Sequence, residues 1–561
     1  MAVWTDGFRC VKGADPQEGE DRAAGAPTDG PRIVHLQAPW PAPGGGTGDC
    51  RTGRSVVSAP PAVPGPEDGL VLASARGRWV LLATVLGSAV ASIDATVVGI
   101  ALPTIGRDFN VGLAALQWVV TAYTMTLAGL LLLAGALGDK YGRKKVFLIG
   151  VIWFALASLL CAVAPGATFL ILARALQGVG AALLTPGSLA ILEAVFRPDD
   201  RGKAIGAWSG FSGVGTAIGP FIGGYLVQAA SWRLIFVINL PLAALVVAVT
   251  LRHVPESRDP EATGPIDVRG GTLVTLGLIG LTYGLIQGPG GHWTSPAVLA
   301  ALLGGVALLG AFVWQERRTA SPMLPLGLFA STQFSATNAI TFVVYGGIGG
   351  ALFLLPIELQ QVSGYTALQA GISLLPVTVI TLALSSRSGA LATRIGPRLQ
   401  MTVGPVLVGI GLALFARISG SGDYLTEVLP AVVVFGFGLA VTVAPLTSTV
   451  LAAVPAEHAG IASAVNNDVA RAAALIAVAL LPAAGGITGD AYRHPELFSA
   501  GFHTASLISA GLCVAGGVLA FFTIRNLAPA TGPGQAARPV PALHCALDAP
   551  PAAPVTGSAR P

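Results

Sequence analysis

The chain has 561 residues, of which 53% are hydrophobic and only 11% charged, and its mean hydropathy is +0.71. A soluble globular protein carries roughly 25% charged residues, so this composition excludes an ordinary soluble enzyme. The net charge of +4 comes without a basic patch with interleaved aromatic residues, so no nucleic-acid partner is predicted. The five cysteines form no CxxC pair and the seven histidines no pair at helical spacing, so no metal site is predicted.

Apolar segments of membrane-spanning length make up most of the chain. Runs of about 20 residues recur between Trp79 and Ile524, and each is long enough to cross roughly 30 Å of hydrocarbon as a helix. Residues 1–77 and 526–561 are rich in Gly, Pro and Ala and contain no apolar run, so we expect two disordered tails. Fourteen spans are predicted, at 79–102, 115–137, 145–164, 167–190, 203–228, 232–251, 270–288, 296–315, 333–356, 367–386, 397–417, 427–451, 459–487 and 501–524.

Basic residues predict the orientation of these spans. Fifteen Lys and Arg residues fall in the loops on one side, against four on the other, which are Arg107, Arg233, Arg417 and Arg493. Because cytoplasmic loops carry the excess of Lys and Arg, both termini are predicted to be cytoplasmic. That placement requires an even number of spans.

An internal repeat indicates two related halves. Residues 135–144 align without gaps with residues 389–398, and the two copies follow the second and the tenth span. Two six-helix halves alone would place the copies six spans apart, so the spacing of eight predicts two extra helices between the halves. We therefore expect an all-α polytopic membrane protein with a six-helix bundle at 78–252, inserted helices at 253–320 and a second six-helix bundle at 321–525.

Two charged side chains, Asp94 in span 1 and Arg174 in span 4, lie inside the predicted membrane region. A carboxylate in hydrocarbon costs on the order of 2.5–3.5 kcal/mol and indicates a functional site by default. At the helix rise, both residues lie roughly 10–12 Å from the same end of their spans, so an interaction, direct or through water or a substrate, is allowed. Burial favours the neutral carboxyl and a nearby arginine favours the charged one, so a change in their separation would load and release a proton. A fixed structural ion pair is the alternative.

The loop after span 2 combines glycines with opposite charges. Its glycines permit a tight turn, and its acid and arginine can form a charge pair that locks one conformation and releases in another. A basic loop that only sets the topology is the alternative. The residues concerned are Gly135, Asp139, Gly142 and Arg143.

Span 5 carries small residues at helical spacing. Such a stripe lets a neighbouring helix approach closely, and the proline frees a backbone carbonyl and bends the helix. A packing face without a role in coupling is the alternative. The residues are Gly215, Gly219, Pro220, Gly223 and Gly224.

Span 13 holds a second polar cluster near the predicted midplane. Asp468 lies about 14 Å from the cytoplasmic end of the span. Asp468 and Arg471 are three residues apart and share a helix face, so they can neutralise each other. Asp468 is either a local partner of Arg471 or a second substrate or proton site.

These segments resemble the motifs of one family. Five segments are similar to motifs of the major facilitator superfamily and, within it, of the fourteen-helix drug:proton antiporters. They are the glycine-rich loop, the span 5 stripe, the Arg174–Gly180 stretch and the segments 93–103 and 355–371. The resemblance implies the major facilitator fold in the cell membrane, and a monomer that exports hydrophobic or amphipathic molecules such as drugs or antibiotics by alternating access. It also implies a proton gradient as the energy source, with no cofactor. The roles implied are gating for the loop, antiport for span 5, and proton coupling for Arg174.

Three positions give further predictions, from differences to the family motifs and between the two copies of the loop. Gly99 stands where the family usually has Asn, which predicts a lost polar contact. Thr393 stands opposite Asp139 in the second copy of the loop, which predicts a weaker gate. The match at 232–241, which includes Asn239, is assigned to anchoring and packing more than to chemistry.

Candidates for a substrate cavity are aromatic and polar residues, although each aromatic is alternatively a packing residue. Three acids at span ends, Glu193, Glu358 and Glu427, favour a solvated role. The cavity candidates are Trp118, Tyr123, Gln177, Trp208 and Asn466.

Other functions lack their motifs. No phosphate-binding loop occurs, nor HExxH or Gly-x-Ser-x-Gly, so neither ATP-driven transport nor an enzyme is predicted. A dedicated exporter that gives self-resistance to one natural product is the main alternative. A facilitator without antiport, or a transport-derived receptor, is less favoured.

Overall fold

The computed structural model describes residues 69–526 apart from 261, 263, 290, 320, 421, 456 and 457, and it leaves the side chains of 212–214, 216, 217 and 490 undescribed. The predicted tails lie outside the described residues except for 69–77 and Asn526. Within this range the elements are helices, and the one strand-like contact is a single bridge between Leu70 and Phe196. The predicted all-α fold is confirmed.

Seven helices form the first half of the described chain. They are α1 (Ala75–Asp108), α2 (Leu113–Tyr141), α3 (Arg143–Ala162), α4 (Ala167–Val195), α5 (Pro198–Ala229), the short α6 (Leu234–Val237) and α7 (Asn239–His253). Two more, α8 (Val268–Gln287) and α9 (Pro296–Glu316), follow in the predicted insertion.

The second half repeats this plan. Its helices are α10 (Thr332–Ile357), α11 (Ala367–Ser373), α12 (Leu375–Ile395), α13 (Pro397–Phe415), α14 (Leu429–Ala452), α15 (Ala459–Ala484) and α16 (Pro495–Thr523). A π-helical turn at Glu358–Val362 extends α10. Thirteen helical segments of the described residues are long and apolar enough to cross a membrane, and α5 occupies the remaining predicted span, so the structure is consistent with fourteen.

The helices begin and end where the sequence offers caps and breaks. Ser74 caps α1 and Asp267 caps α8, each accepting a hydrogen bond from a first-turn N–H group. Gly142 ends α2 and Gly396 ends α12 at φ values of +115° and +83°, which L side chains rarely adopt. These two glycines are equivalent positions of the sequence repeat.

Packing follows the same two-fold plan. With α11 and α12 counted as one span, the first span of each half packs against the fifth (α1 on α5, α10 on α15), and the third packs against the fourth (α3 on α4, α13 on α14). Helices α8 and α9 pack on each other, and α8 contacts both α2 and α15. The inserted pair therefore lies against both halves rather than extending either one.

The two halves meet closely at one end of the helices. We call the end with the loops at Gly142 and Gly396 the basic face, and the end with the loops at Asn110 and Tyr492 the far face. Near the far face, Gln117 Nε2 donates to the Val478 carbonyl at 2.7 Å and Gln360 Nε2 donates to the Ile100 carbonyl at 2.9 Å. These bonds join the first half to the second directly.

Candidate functional site

The structure contains a buried ion pair between α1 and α4. Arg174 Nη1 donates to Asp94 Oδ2 at 2.5 Å, and the side chains are 1% and 0% exposed. Asp94 Oδ1 accepts from Gln177 Nε2 at 2.8 Å and from Asn239 Nδ2 at 3.0 Å. Both carboxylate oxygens therefore have donors, an arrangement that stabilises the charged form of a buried acid.

Arg174 is held by groups of α2 as well. Its Nε donates to the Val119 carbonyl at 3.2 Å, and its guanidinium carbon lies 4.3 Å from the centre of the Tyr123 ring. Because a buried charge is stable only when it is paired and hydrogen-bonded, these contacts explain how a whole arginine side chain is buried here. Tyr123, predicted to line a substrate cavity, lies on the ion pair instead of on the cavity described below.

A second layer of polar groups orients the two amides. Ser158 Oγ accepts from Gln177 Nε2 at 2.7 Å and from Asn239 Nδ2 at 3.3 Å. Neither Ser158 nor Asn239 is predicted from the sequence as a site residue. The sequence signal for Asn239 is an asparagine at the start of an apolar helix. Its assignment to anchoring and packing did not predict the hydrogen bond to Asp94.

A cavity of about 290 Å³ lies between the two halves, beside the ion pair. Its wall includes Ala95 and Thr96, next to Asp94 in α1, and Val120, Thr121 and Thr124 in α2. Helices α10 and α15 supply its other side with mostly apolar side chains. Such a lining suits an amphipathic ligand.

The other candidates for the substrate cavity lie apart from one another. Gln177 is buried on Asp94, and Trp208 Nε1 donates to Ser88 Oγ at 2.9 Å. Trp118 packs near Tyr283 of α8, with ring centres 6.3 Å apart. Asn466 lines a separate cavity of about 160 Å³ in the second half.

The loop after α2 carries the expected charge pair. Asp139 and Arg143 form an ion pair at 2.8 Å, and Arg143 Nη1 donates to the Ala190 carbonyl of α4 at 3.3 Å. The segment that follows α7 docks on this loop, since Glu256 Oε1 accepts from the N–H of Lys144 at 3.1 Å and the Ser257 carbonyl accepts from the N–H of Arg143 at 2.9 Å. Gly135 precedes this site within α2.

The second copy of the loop has the same dock without the charge pair. Asn526, after α16, accepts from the N–H of Arg398 at 3.1 Å, just as Glu256 accepts from that of Lys144. A Cβ at Gly396 would overlap Asn526, and one at Gly142 would lie 2.8 Å from the Glu256 carboxylate. Thr393, the counterpart of Asp139, bonds only within its own helix, to the Ala390 carbonyl.

The glycine face of α5 has two neighbours. Gly215, Gly219 and Gly223 face α1, where a Cβ would approach Ala89, Thr96 and Val97 respectively. Gly224 and Pro220 instead face α11 of the second half, because a Cβ at Gly224 would overlap the Ala367 carbonyl oxygen and one at Gly371 would overlap that of Pro220. Helix α5 therefore joins the helix of Asp94 to the second half at backbone contact.

Known proteins share this organisation. The family model described as Major Facilitator Superfamily matches residues 84–479. The chain belongs to this superfamily. It is 37% identical over 388 residues to the multidrug resistance protein Stp of Mycobacterium tuberculosis, covering 69% of this chain and 72% of that protein. It is 35% identical over 413 residues to the puromycin resistance protein pur8 of Streptomyces alboniger, covering 72% and 81%.

Solved structures of the superfamily agree with the fold. A bacterial homolog of the human lysosomal transporter Spinster, in an inward-facing conformation, aligns with a TM-score of 0.59 at 17% identity, over 82% of this chain and all of that one. The chain is thus a multi-pass membrane protein of a transporter superfamily, and its two halves correspond to the parallel repeats of the major facilitator fold.

Asp468 and Arg471 both lie in α15, close enough for Arg471 to act electrostatically on the Asp468 carboxyl. The described residues contain no ion pair between them within 4.0 Å, and Asp468 Oδ1 and Arg471 Nε each lack a hydrogen-bond partner there. The expected solvated role of Glu358 is wrong, because this side chain is 0% exposed. Glu427 accepts from the N–H of Ser419 at 2.7 Å, and Glu193 is half-buried.

Replacing Gly142 with Ala is expected to weaken the dock between the α2–α3 loop and the segment after α7. The φ value of +115° disfavours an L side chain by roughly 1–3 kcal/mol, and the new Cβ would press on the Glu256 carboxylate. The purified variant should unfold at a lower temperature and be cleaved faster by protease between His253 and Asp267. Gly202→Ala is the control, since nothing lies within 4 Å of a Cβ at that position. Equal unfolding temperatures of Gly142→Ala and the wild type would contradict the predicted weakening of the dock.

Proposed function

We propose that the chain is a proton-coupled exporter of hydrophobic or amphipathic small molecules, working by alternating access. The observation that carries this proposal is the buried Asp94–Arg174 pair, because Asp94 lies on α1, a helix that also lines the central cavity. An intramembrane ion pair of this kind is expensive and marks a proton or substrate pathway by default. The relatives are named for multidrug or antibiotic resistance, which supports the class of substrate.

Proton exchange follows from how Asp94 is held. Arg174, Gln177 and Asn239 donate to its oxygens, and these hydrogen bonds stabilise the charged carboxylate. A conformation that moves α1 away from α4 removes these donors. The carboxyl group is then buried without hydrogen-bond donors or a counter-charge, which favours its protonated form. The proton gradient thereby supplies the energy, and no cofactor takes part.

Helix α5 provides the mechanical link. It packs along α1 through Gly215, Gly219 and Gly223, and against the second half through Gly224. A rocking motion of one half against the other therefore moves α1, and with it Asp94, relative to α4. The loop of Asp139 and Arg143 would hold one of the two conformations at the basic face. We further propose a monomer with both termini in the cytoplasm, on the distribution of Lys and Arg among the loops.

A narrow substrate range is the second candidate. Several relatives carry the name of one antibiotic, among them the tetracenomycin C resistance and export protein of Streptomyces glaucescens, 34% identical over 421 residues. This favours a dedicated exporter for one natural product as much as a broad drug pump.

Inside-out vesicles from an efflux-deficient host test both candidates. With an acidic lumen, vesicles that contain the wild-type chain should accumulate ethidium or puromycin and lose protons at the same time, and a protonophore should stop both. Accumulation of both compounds supports a broad pump, and accumulation of puromycin alone supports a narrow one. Accumulation that persists without any pH gradient would contradict proton coupling.

A further inference from the structure

A second buried acid lies in the second half. Glu358 is in the π-helical turn that ends α10, near the far face, and its side chain is 0% exposed. Oε1 accepts from Ser499 Oγ of α16 at 2.7 Å. Oε2 has no hydrogen-bond partner among the residues that the structure describes, and no ion pair there includes Glu358.

This environment is the opposite of that of Asp94. Both oxygens of Asp94 accept from donors that include an arginine, whereas Glu358 has one neutral hydroxyl donor and one bare oxygen. A buried carboxylate without a counter-charge is expensive, and a proton on the carboxyl group removes that charge. Two acids in one molecule with contrasting surroundings commonly divide the work of binding and releasing protons.

A chain of groups connects Glu358 to the loop after α13, which lies at the far face. Ser499 Oγ lies 3.4 Å from Nε2 of His503, one helical turn further along α16, and His503 is only partly buried. His503 Nε2 also lies 2.8 Å from the Ile418 carbonyl, so it carries a hydrogen. If the imidazole turns this hydrogen from the Ile418 carbonyl to Ser499, a doubly protonated His503 passes it to the hydroxyl as the hydroxyl passes its own to Glu358 Oε1, which leaves a neutral imidazole protonated at Nδ1.

Other titratable groups around this site do not neutralise Glu358. Tyr492 precedes α16 and accepts from Gln361 Nε2 at 2.8 Å; burial raises the pKa of its hydroxyl, which stays neutral at physiological pH. Helix α11 contributes no titratable side chain. Glu427 bonds to Ser419, and Arg417 is exposed.

We propose that Glu358 is a second proton-binding carboxyl of the transport cycle, loaded and emptied at the far face through Ser499 and His503. This deepens the proposed proton-coupled export and rests on it. The closed contacts at the far face keep Glu358 from water in the conformation described. Opening of that face would hydrate the carboxyl and let the proton leave.

The test uses the full chain in proteoliposomes, as wild type, Glu358→Gln, Ser499→Ala and Glu496→Gln. Glu496 is an exposed acid at the start of α16 and provides the matched control. Infrared difference spectra at neutral pH report protonated carboxyl groups. Ethidium accumulation under a pH gradient reports coupling, and ethidium counterflow without a gradient reports the transport path alone.

We expect Glu358→Gln to lose a protonated carboxyl band that the wild type and Glu496→Gln retain. Under a gradient of about one pH unit, loss of one coupled proton in Glu358→Gln lowers ethidium accumulation about tenfold relative to the wild type. Glu496→Gln keeps wild-type accumulation and counterflow. Ser499→Ala keeps the acid, so it should keep the band and show weaker coupling even if Glu358→Gln fails to fold.

Identical infrared bands in the wild type and Glu358→Gln would overturn the inference, as would accumulation by Glu358→Gln equal to that by Glu496→Gln. A wild-type chain that accumulates ethidium independently of the gradient would instead overturn the proposed antiport, a result visible without any variant.

Discussion

Asp94→Asn is expected to abolish proton-driven export and to destabilise the protein. Asparagine keeps the size of the side chain and loses its charge, so Arg174 would remain buried without a counter-charge. Removing one partner of a buried ion pair costs about 3–5 kcal/mol. Gradient-driven ethidium uptake into vesicles and the unfolding temperature of the purified protein measure the two effects. Asp199→Asn, an exposed acid at the start of α5, is the control for a simple change of charge.

The double variant Asp94→Asn with Arg174→Gln separates a coupling role from a structural one. Removing both charges leaves polar groups that can still bond to Gln177 and Asn239, so stability should return towards that of the wild type. If the pair couples protons, export driven by the gradient stays absent in the stable double variant. Recovery of export together with stability would show a fixed structural ion pair, and the proton site would then lie elsewhere.

An interaction between Asp94 and Arg174 is predictable from the sequence, because the helix rise fixes the depth of each residue in its span. Depth alone does not fix the direction in which a side chain points. Ser158 and Asn239 are ordinary polar residues of apolar spans, and only the rotation of α3 and α7 about their axes brings them onto the carboxylate. That rotation is set by packing among all the helices, which a local pattern does not contain.

Spacing along one helix does not fix the contact between Asp468 and Arg471, which form no ion pair within 4.0 Å among the described residues. Residues three apart share a face, but the rotamers of both side chains decide whether their charged ends meet. The contacts of Glu256 and Asn526 with the two loops are not predictable from the sequence for another reason. Glu256 and Asn526 each follow the last helix of their half and accept from equivalent N–H groups, yet they differ in residue type. Only the structure shows that the repeat extends to them.

Gly371→Ala and Gly224→Ala are expected to impair export strongly without touching the charged residues. Each new Cβ would overlap a backbone carbonyl oxygen, of Pro220 and of Ala367 respectively, across the contact between α5 and α11. A backbone atom does not rotate away as a side chain does, so the two halves must separate, and overpacking of this kind costs about 1–3 kcal/mol. That amount favours the conformation open at the far face, where the cycle would stall.

Gly210→Ala on the same helix is the matched control. Nothing lies within 4 Å of that position, and alanine in place of an exposed helical glycine is favourable by up to about 1 kcal/mol. Labelling of a cysteine introduced at Thr96, on the cavity wall, measures opening from the far face. We expect faster labelling and lost ethidium export in Gly371→Ala and Gly224→Ala, with wild-type behaviour in Gly210→Ala. Unchanged labelling and export would mean that the α5–α11 contact is not needed to close the far face, and that α5 does not carry the motion of the second half to Asp94.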